Sequence, residues 1–531
     1  MKKNSINSWV VLVLLIFIVL IPVLSVITTI GNQTEIDNQE LLLAIKESIM
    51  TTGIVVLISF PLSLLCSVCI CFTNIKFKAL YSFLCILPMF LPPISIGFGL
   101  LSILGKNGWF FSLSGLRINL LGRIGIVLGH IYYTFPVSFL LFMNSFKSLD
   151  PSIYENAILL GIPFYKYLFH IAFPTIKKTA IAVFFQILIM SFSEYGICLV
   201  IGGRRKTLSL LIYRYVIGRL DYSSGLVLGS ILVIPLIILS VLNVYSYPLK
   251  QGIFYKHFFS MHKKSFNVAA YMFLSFVLLI NIVLILTLIF MGFTKNYPID
   301  LSLSLIHLKQ VLSEPYINYL FNSILIAVFS SIIGCVLSTL VAFYANKKSS
   351  RLIRKILFFI ATSSYVIPGL LFGIGYLITY RGSILSGTYT IIIMANIAHF
   401  FASPFLLSYY AINQLSPEYE DIILLYDIPT KKKVFDVLIP YLKNTLLDMF
   451  FYFFSNSMIT ISAVAFLATS RTMTYALSLN NFEGGIEYLS KTSAISFVIF
   501  TANLFIFFFT SYLKDRSALK MIEQNKQPIN S

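Results

Sequence analysis

The side chains able to ligate a metal or attack a bond are thinly spread along this sequence. Cys66, Cys69, Cys71, Cys85, Cys198 and Cys335 all fall in apolar runs, and only Cys66-Ser67-Val68-Cys69 has CxxC spacing. A lone pair of that kind falls short of a metal or redox signature, so the thiols are expected to pack as small apolar side chains. His130, His170, His257, His262, His307 and His399 stand singly. No GxxxxGK[ST] phosphate loop, HExxH or GxSxG motif occurs. The chain is therefore expected to be no enzyme and to hold no metal. What remains is one carboxylate in an unusual place. Glu194, in Ser191-Phe192-Ser193-Glu194-Tyr195-Gly196, lies inside an apolar run, where a charge is costly and usually faces a partner or a water-filled cavity.

The elements that must position such a residue are membrane spans. Of 531 residues, 58% are hydrophobic and 11% charged, too little polar surface for a soluble chain of this length. Apolar runs of about 20 residues recur, each long enough to cross the hydrocarbon core as a helix. The pattern predicts an all-α polytopic membrane protein with twelve spans. Six lie near 9–30, 44–73, 79–104, 121–146, 176–202 and 224–247. Six more lie near 268–293, 316–346, 353–380, 387–412, 443–468 and 489–514. The first run, behind Lys2 and Lys3, is too long for a signal peptide and reads as a retained span. The net charge of +19 sits in short loops between runs, which argues for membrane topology and not for nucleic acid. Cytoplasmic N- and C-termini put most Lys and Arg on the cytoplasmic side. Residues 1–247 and 268–514 form two halves, 248–267 a basic cytoplasmic linker and 515–531 a cytoplasmic tail.

The halves repeat. Shifted by 266 residues, His130–Pro174 lies on Asn396–Pro440 without a gap, with 13 identities in 45 positions. Pro151, Pro163 and Pro174 fall on Pro417, Pro429 and Pro440. Apolar bias alone would not align three prolines. A shift of 276 sets Pro92, Gly97 and Gly99 on Pro368, Gly373 and Gly375, which implies an insertion around Gly105–Ile118. An even number of spans per half makes the repeats parallel in the membrane. Each half has one long cytoplasmic excursion after its fourth span, 147–175 and 413–442. In the first, Asp150 can cap a helix, Pro151 suits its first turn, Gly161 can supply a left-handed stop and Pro163 blocks further winding.

The spacing Glu155-x-Ala157-x3-Gly161-x9-Ile171-x-Phe173-Pro174 resembles the signature loop of permeases in binding-protein-dependent ABC importers. The second copy departs from it: Asp421 stands for the acid, Ile423 for the alanine and Asp427 for the glycine, while Val437 and Pro440 hold. The resemblance covers residues 40 to 515 and implies a type I importer permease with both halves fused. It implies that each loop forms a coupling helix seated in an ATPase subunit, with an ATPase homodimer on the cytoplasmic face and a solute-binding protein outside. It also implies that Mg-ATP is held by the partner ATPase, with no cofactor on this chain, and that the chain lies in a bacterial cytoplasmic membrane.

Glu194 and Tyr195, with Ser457, Thr460 and Ser462 at or near the equivalent place in the second half, are the expected liners of the path. Packing between helices is the competing role for the three hydroxyls. The outward cluster Arg204-Arg205-Lys206 could draw in an anionic solute, pair with a binding protein or anchor at lipid headgroups. Fused permeases of this kind resemble those for ferric iron, thiamine, aminoethylphosphonate and polyamines. The stretches Ser193–Gly196, Gly202-Gly203, Thr207-Leu208 and Ile461-Ser462-Ala463 look most like the ferric-iron and aminoethylphosphonate branch, and ferric iron is favoured. The alternative, an ion-coupled secondary carrier, would be expected to place a charged loop after its second span, where this chain has only Thr73–Lys78.

Overall fold

The computed structural model describes residues 2–28, 36–116, 119–246, 264–348, 350–365, 367–414, 436, 438–481 and 487–526. They are helical almost throughout. In hydrocarbon no water satisfies the backbone, so each span must close its own hydrogen bonds. The strands among the described residues form one small antiparallel hairpin, Thr294–Asn296 against Asp300–Leu303.

All twelve expected spans fall on helices, but several are interrupted. Seven helices are long and apolar enough to cross alone: Ser8–Val26, Asn38–Phe72, Pro93–Ser114, Arg123–Lys147, Ser265–Gly292, Tyr316–Asn346 and Tyr488–Arg516. Two bent pairs reach that length and apolarity only when each is taken as one unit, Phe164–Thr175 with Lys177–Ser193 at 74°, whose first member belongs to the first long loop, and Tyr389–Phe400 with Ala402–Asn413 at 57°. The remaining three expected spans fall on Tyr222–Ser246, on Arg351–Ser363 followed by Gly369–Thr379, and on Ile439–Ile459.

The breaks obey the repeat. In the third and ninth spans, Pro92 and Pro368 sit extended at ψ 139° and 146°, directly before helices Pro93–Leu104 and Gly369–Thr379. Proline has no N–H to give a continuing helix, and its fixed φ suits a new start. In the fifth and eleventh spans, Glu194 and Thr460 end their helices at ψ 131° and 135°. Two positions 266 residues apart, with unlike side chains, thus break the same way.

The two halves are not spatially separate. The first span packs on the ninth, in the second half, and the seventh packs on the third, in the first half. One apolar core accordingly joins Leu15, Val19 and Val26 to Leu370, Phe372 and Tyr376. A second joins Leu274, Leu284 and Leu288 to Ile96 and Leu100. Lipid offers no hydrophobic drive for such crossings, so close packing and polar bonds must hold them. The matched glycines provide the closeness. A Cβ on Gly99 would meet Leu284 and Leu288 of the seventh span, and one on Gly375 would run into the Pro22 carbonyl of the first. Gly97 faces Val200 and Gly373 faces Phe466, again residues 266 apart. Polar bonds add to this. A π-helical turn at Ile16–Leu20 loosens the first span's ladder, and there Tyr376 and Tyr380 donate to the Ile18 and Phe17 carbonyls at 2.6 and 3.2 Å.

One end of the bundle gathers the close of the second span, the first long loop and the start of the seventh span. Phe72 packs against Tyr154, Phe164 and Tyr167, and Phe164 against Phe266. Glu40, Glu47, Arg123 and Arg205 cluster at the opposite end.

Candidate functional site

The first loop is built as the sequence indicates. Asp150 caps Pro151–Leu159 by accepting from Ser152 N at 2.9 Å. Gly161 stops the helix at φ +67°, with Gly161 N bonded to Ile158 O and Ile162 N to Ala157 O, both at 2.9 Å. Paired bonds around a left-handed residue are the usual way to satisfy last-turn carbonyls. Pro163 starts the next helical piece, and Pro174 precedes the bend into the fifth span.

Ala157 is buried with Tyr154 and Tyr167 and fixes the helix to the bundle. Burial pushes the Tyr154 phenol up, so it packs as a neutral ring. Ile171 is half-buried, whereas Glu155, Gly161 and Pro174 are exposed. Beside them Ile158, Leu159, Leu160, Tyr165 and Phe169 are also exposed. The capped helix and the helical pieces after it therefore present exposed apolar side chains. In the second loop, Pro440 is exposed at the start of Ile439–Ile459. Asp421, Ile423, Asp427 and Val437 lie outside the described residues.

Between the halves lies a cavity of about 410 Å³. Glu194, Tyr195, Thr460 and Ser462 line it; Ser457 does not, and is buried instead. The reason is helical phase. Ser457 falls at the repeat position of Ser191, whose hydroxyl bonds His130 Nδ1 at 2.8 Å on a face turned from the cavity.

The cavity follows the internal repeat closely. Of the first-half residues that line it, all but Ile94 have their partner at a shift of 266 or 276 in the lining too. Tyr133 pairs with His399, Asn144 with Tyr410 and Gln186 with Tyr452. Side-chain type alone did not single these residues out, but applying the two shifts to the spans around Glu194 would have. The cavity thus lies on the pseudo-twofold axis, where broken helices of both halves meet.

Its chemistry is asymmetric. Glu194 is the one carboxylate in the lining, and no Lys or Arg lines it among the described residues. Its Oε1 accepts from Gly196 N at 2.6 Å, and Ser209 Oγ donates to its carbonyl at 2.8 Å. The Tyr195 ring stacks on Tyr213, centroids 4.7 Å apart. The second half supplies hydroxyls: Tyr365 Oη and Ser403 Oγ are 2.7 Å apart, and Ser403 donates to Tyr452 Oη at 3.1 Å.

Two members of the basic cluster pair within the chain. Arg205 pairs with Glu47 at 2.6 Å and Lys206 with Glu40, both acids on the second span, while Arg204 is exposed. No group of three or more His, Cys, Asp or Glu suited to a metal occurs among the described residues.

No family model matches the chain. It is 26% identical over 443 residues to a ferric transport system permease protein of Actinobacillus pleuropneumoniae, covering 80% of this chain and 64% of that one. A putative ferric transport system permease protein of Haemophilus influenzae is 25% identical over 410 residues, 74% of this chain and 65% of that one. A molybdate/tungstate transport system permease protein of Methanocaldococcus jannaschii is 25% identical over 234 residues, 44% of this chain and 93% of that shorter protein. The chain thus matches less than two-thirds of the length of the two ferric relatives. With its all-α fold and signature loop, the chain is similar to transport system permease proteins, the ferric ones over most of its length.

Proposed function

We propose that the chain forms the translocation path of an ATP-driven importer in a bacterial cytoplasmic membrane, with both termini cytoplasmic, and that its cargo is ferric iron. The observation that carries this reading is the cavity on the pseudo-twofold axis, walled by equivalent residues of two halves that each carry a long loop at one end. An ATPase homodimer holding Mg-ATP would seat residues 151–174 and 417–440. On closing, it would draw the loops together and rock the halves about the cavity. The exposed apolar face from Ile158 to Phe169 is the kind of surface such a partner would cover. A solute-binding protein would deliver cargo at the other end.

Ferric iron is supported by the ferric transport named for the Actinobacillus and Haemophilus relatives and by the lining itself. A hard cation favours oxygen donors, and the cavity offers one carboxylate and several hydroxyls. An oxyanion such as molybdate would find no lysine or arginine there. The test is uptake in vesicles holding the complete complex. Ferric iron should enter only with ATP, and Glu194→Gln should lower the rate by roughly tenfold, about 1.4 kcal/mol. Uptake driven by a proton or sodium gradient without ATP would overturn the reading.

A further inference from the structure

The two halves carry the same fastening at the end opposite the first coupling loop, one in charged and the other in neutral form. In the first half, Glu47 of the second span has a side chain only 4% exposed and accepts from three donors. Arg123, the first residue of the fourth span, bonds it through Nε at 3.0 Å and Nη2 at 2.6 Å, and Arg205 through Nη1 at 2.6 Å. In the second half, Asn322 takes the place of Glu47, 275 residues on (47 to 322), and Tyr389 that of Arg123. Tyr389 Oη donates to Asn322 Oδ1 at 2.8 Å, and Asn322 Nδ2 donates at 3.0 Å to the carbonyl of Arg471, the repeat partner of Arg205. Next to each, a serine of the second or eighth span does identical work. Leu208 N donates to Ser48 Oγ, and Tyr475 N to Ser323 Oγ, both at 2.8 Å.

We propose that Glu47, with Arg123 and Arg205, is a positioning unit for the cavity wall, and that Asn322 and Tyr389 do the same task without charge. Residues 194–209 run from the cavity to the outer turn and back, closed at the base where Ser209 meets the Glu194 carbonyl. Glu47 and Ser48 hold this segment at Arg205 and Leu208. Fixing the turn fixes where Glu194 and Tyr195 stand. The inference rests on the cavity being the path.

The acid and Arg123 must change together. Removing Glu47 alone leaves the part-exposed Arg123 guanidinium without the carboxylate that holds it in place. Arg205 is 53% exposed and can turn to water.

The test compares Glu47→Asn, Arg123→Tyr and the double variant that copies the second half, in the full transporter complex. Uptake is scored per molecule after membrane abundance is measured. Glu47→Asn is expected to lower the maximal uptake rate by roughly tenfold to a hundredfold, as displaced groups do in other sites. The double variant is expected to recover most of it. Normal uptake by Glu47→Asn would overturn the proposal, as would lower abundance with unchanged uptake per molecule. An abundant double variant that stays inactive would overturn it too. ATP-driven uptake by the unaltered complex, measured alongside, separates failure of this proposal from failure of the transport reading.

Discussion

Gly161 is where a single residue decides the shape of the first loop. At φ +67° an L side chain is crowded against the backbone, at about 1–2 kcal/mol, and a β-branched one fares worst. An added Cβ would meet nothing else, so the cost is conformational and local. Gly161→Val should therefore leave membrane insertion and abundance intact while ATP-driven uptake or ATPase retention falls. Pull-down of the ATPase from detergent extracts, alongside vesicle uptake, reads both, and unchanged values in the two assays would contradict the role. Glu194 shows the opposite economy, a carboxylate held in the cavity wall by backbone donors from the helix that follows it.

Among elements, the crossings of the first and seventh spans depend on two glycines of unequal tolerance. A side chain at Gly375 would strike a main-chain carbonyl, that of Pro22, which cannot rotate away. At Gly99 the nearest atoms are leucine side chains at 3.2 Å, which can yield. Overpacking commonly costs about 1–3 kcal/mol, so Gly375→Val should sit at the upper end of that range and Gly99→Val at the lower. Melting midpoints of the purified protein in detergent would show a clearly larger fall for Gly375→Val. Equal falls would mean that the first span does not press on the ninth as described.

For the whole molecule, the crossings make each half incomplete without the other. Chains 1–247 and 268–531 made as separate polypeptides should associate in the membrane and co-purify, because each lends a span to its neighbour's core. Removing residues 1–35 from the first chain should then destabilise the second, by losing the contacts of Leu15, Val19 and Val26 with its ninth span. Independent behaviour of the two chains on a sizing column would refute this arrangement.

The all-α, many-span character, the internal repeat and the form of the first loop were legible from residue order, because each rests on local chemistry. An apolar run long enough to cross, a proline without an N–H and an aspartate one residue before a helix act wherever they stand. Glu194 was legible too, since a charge among apolar residues is its own signal. The partners of the basic turn were not, because Glu47 and Arg205 are 158 residues apart and meet only through packing. Nor was the cavity's rotational phase, which puts Thr460 in the wall and turns Ser457 away from it. The exchange of first spans between halves belongs to the same class. A glycine at 375 announces closeness, but only the assembled bundle decides that the neighbour comes from the other half.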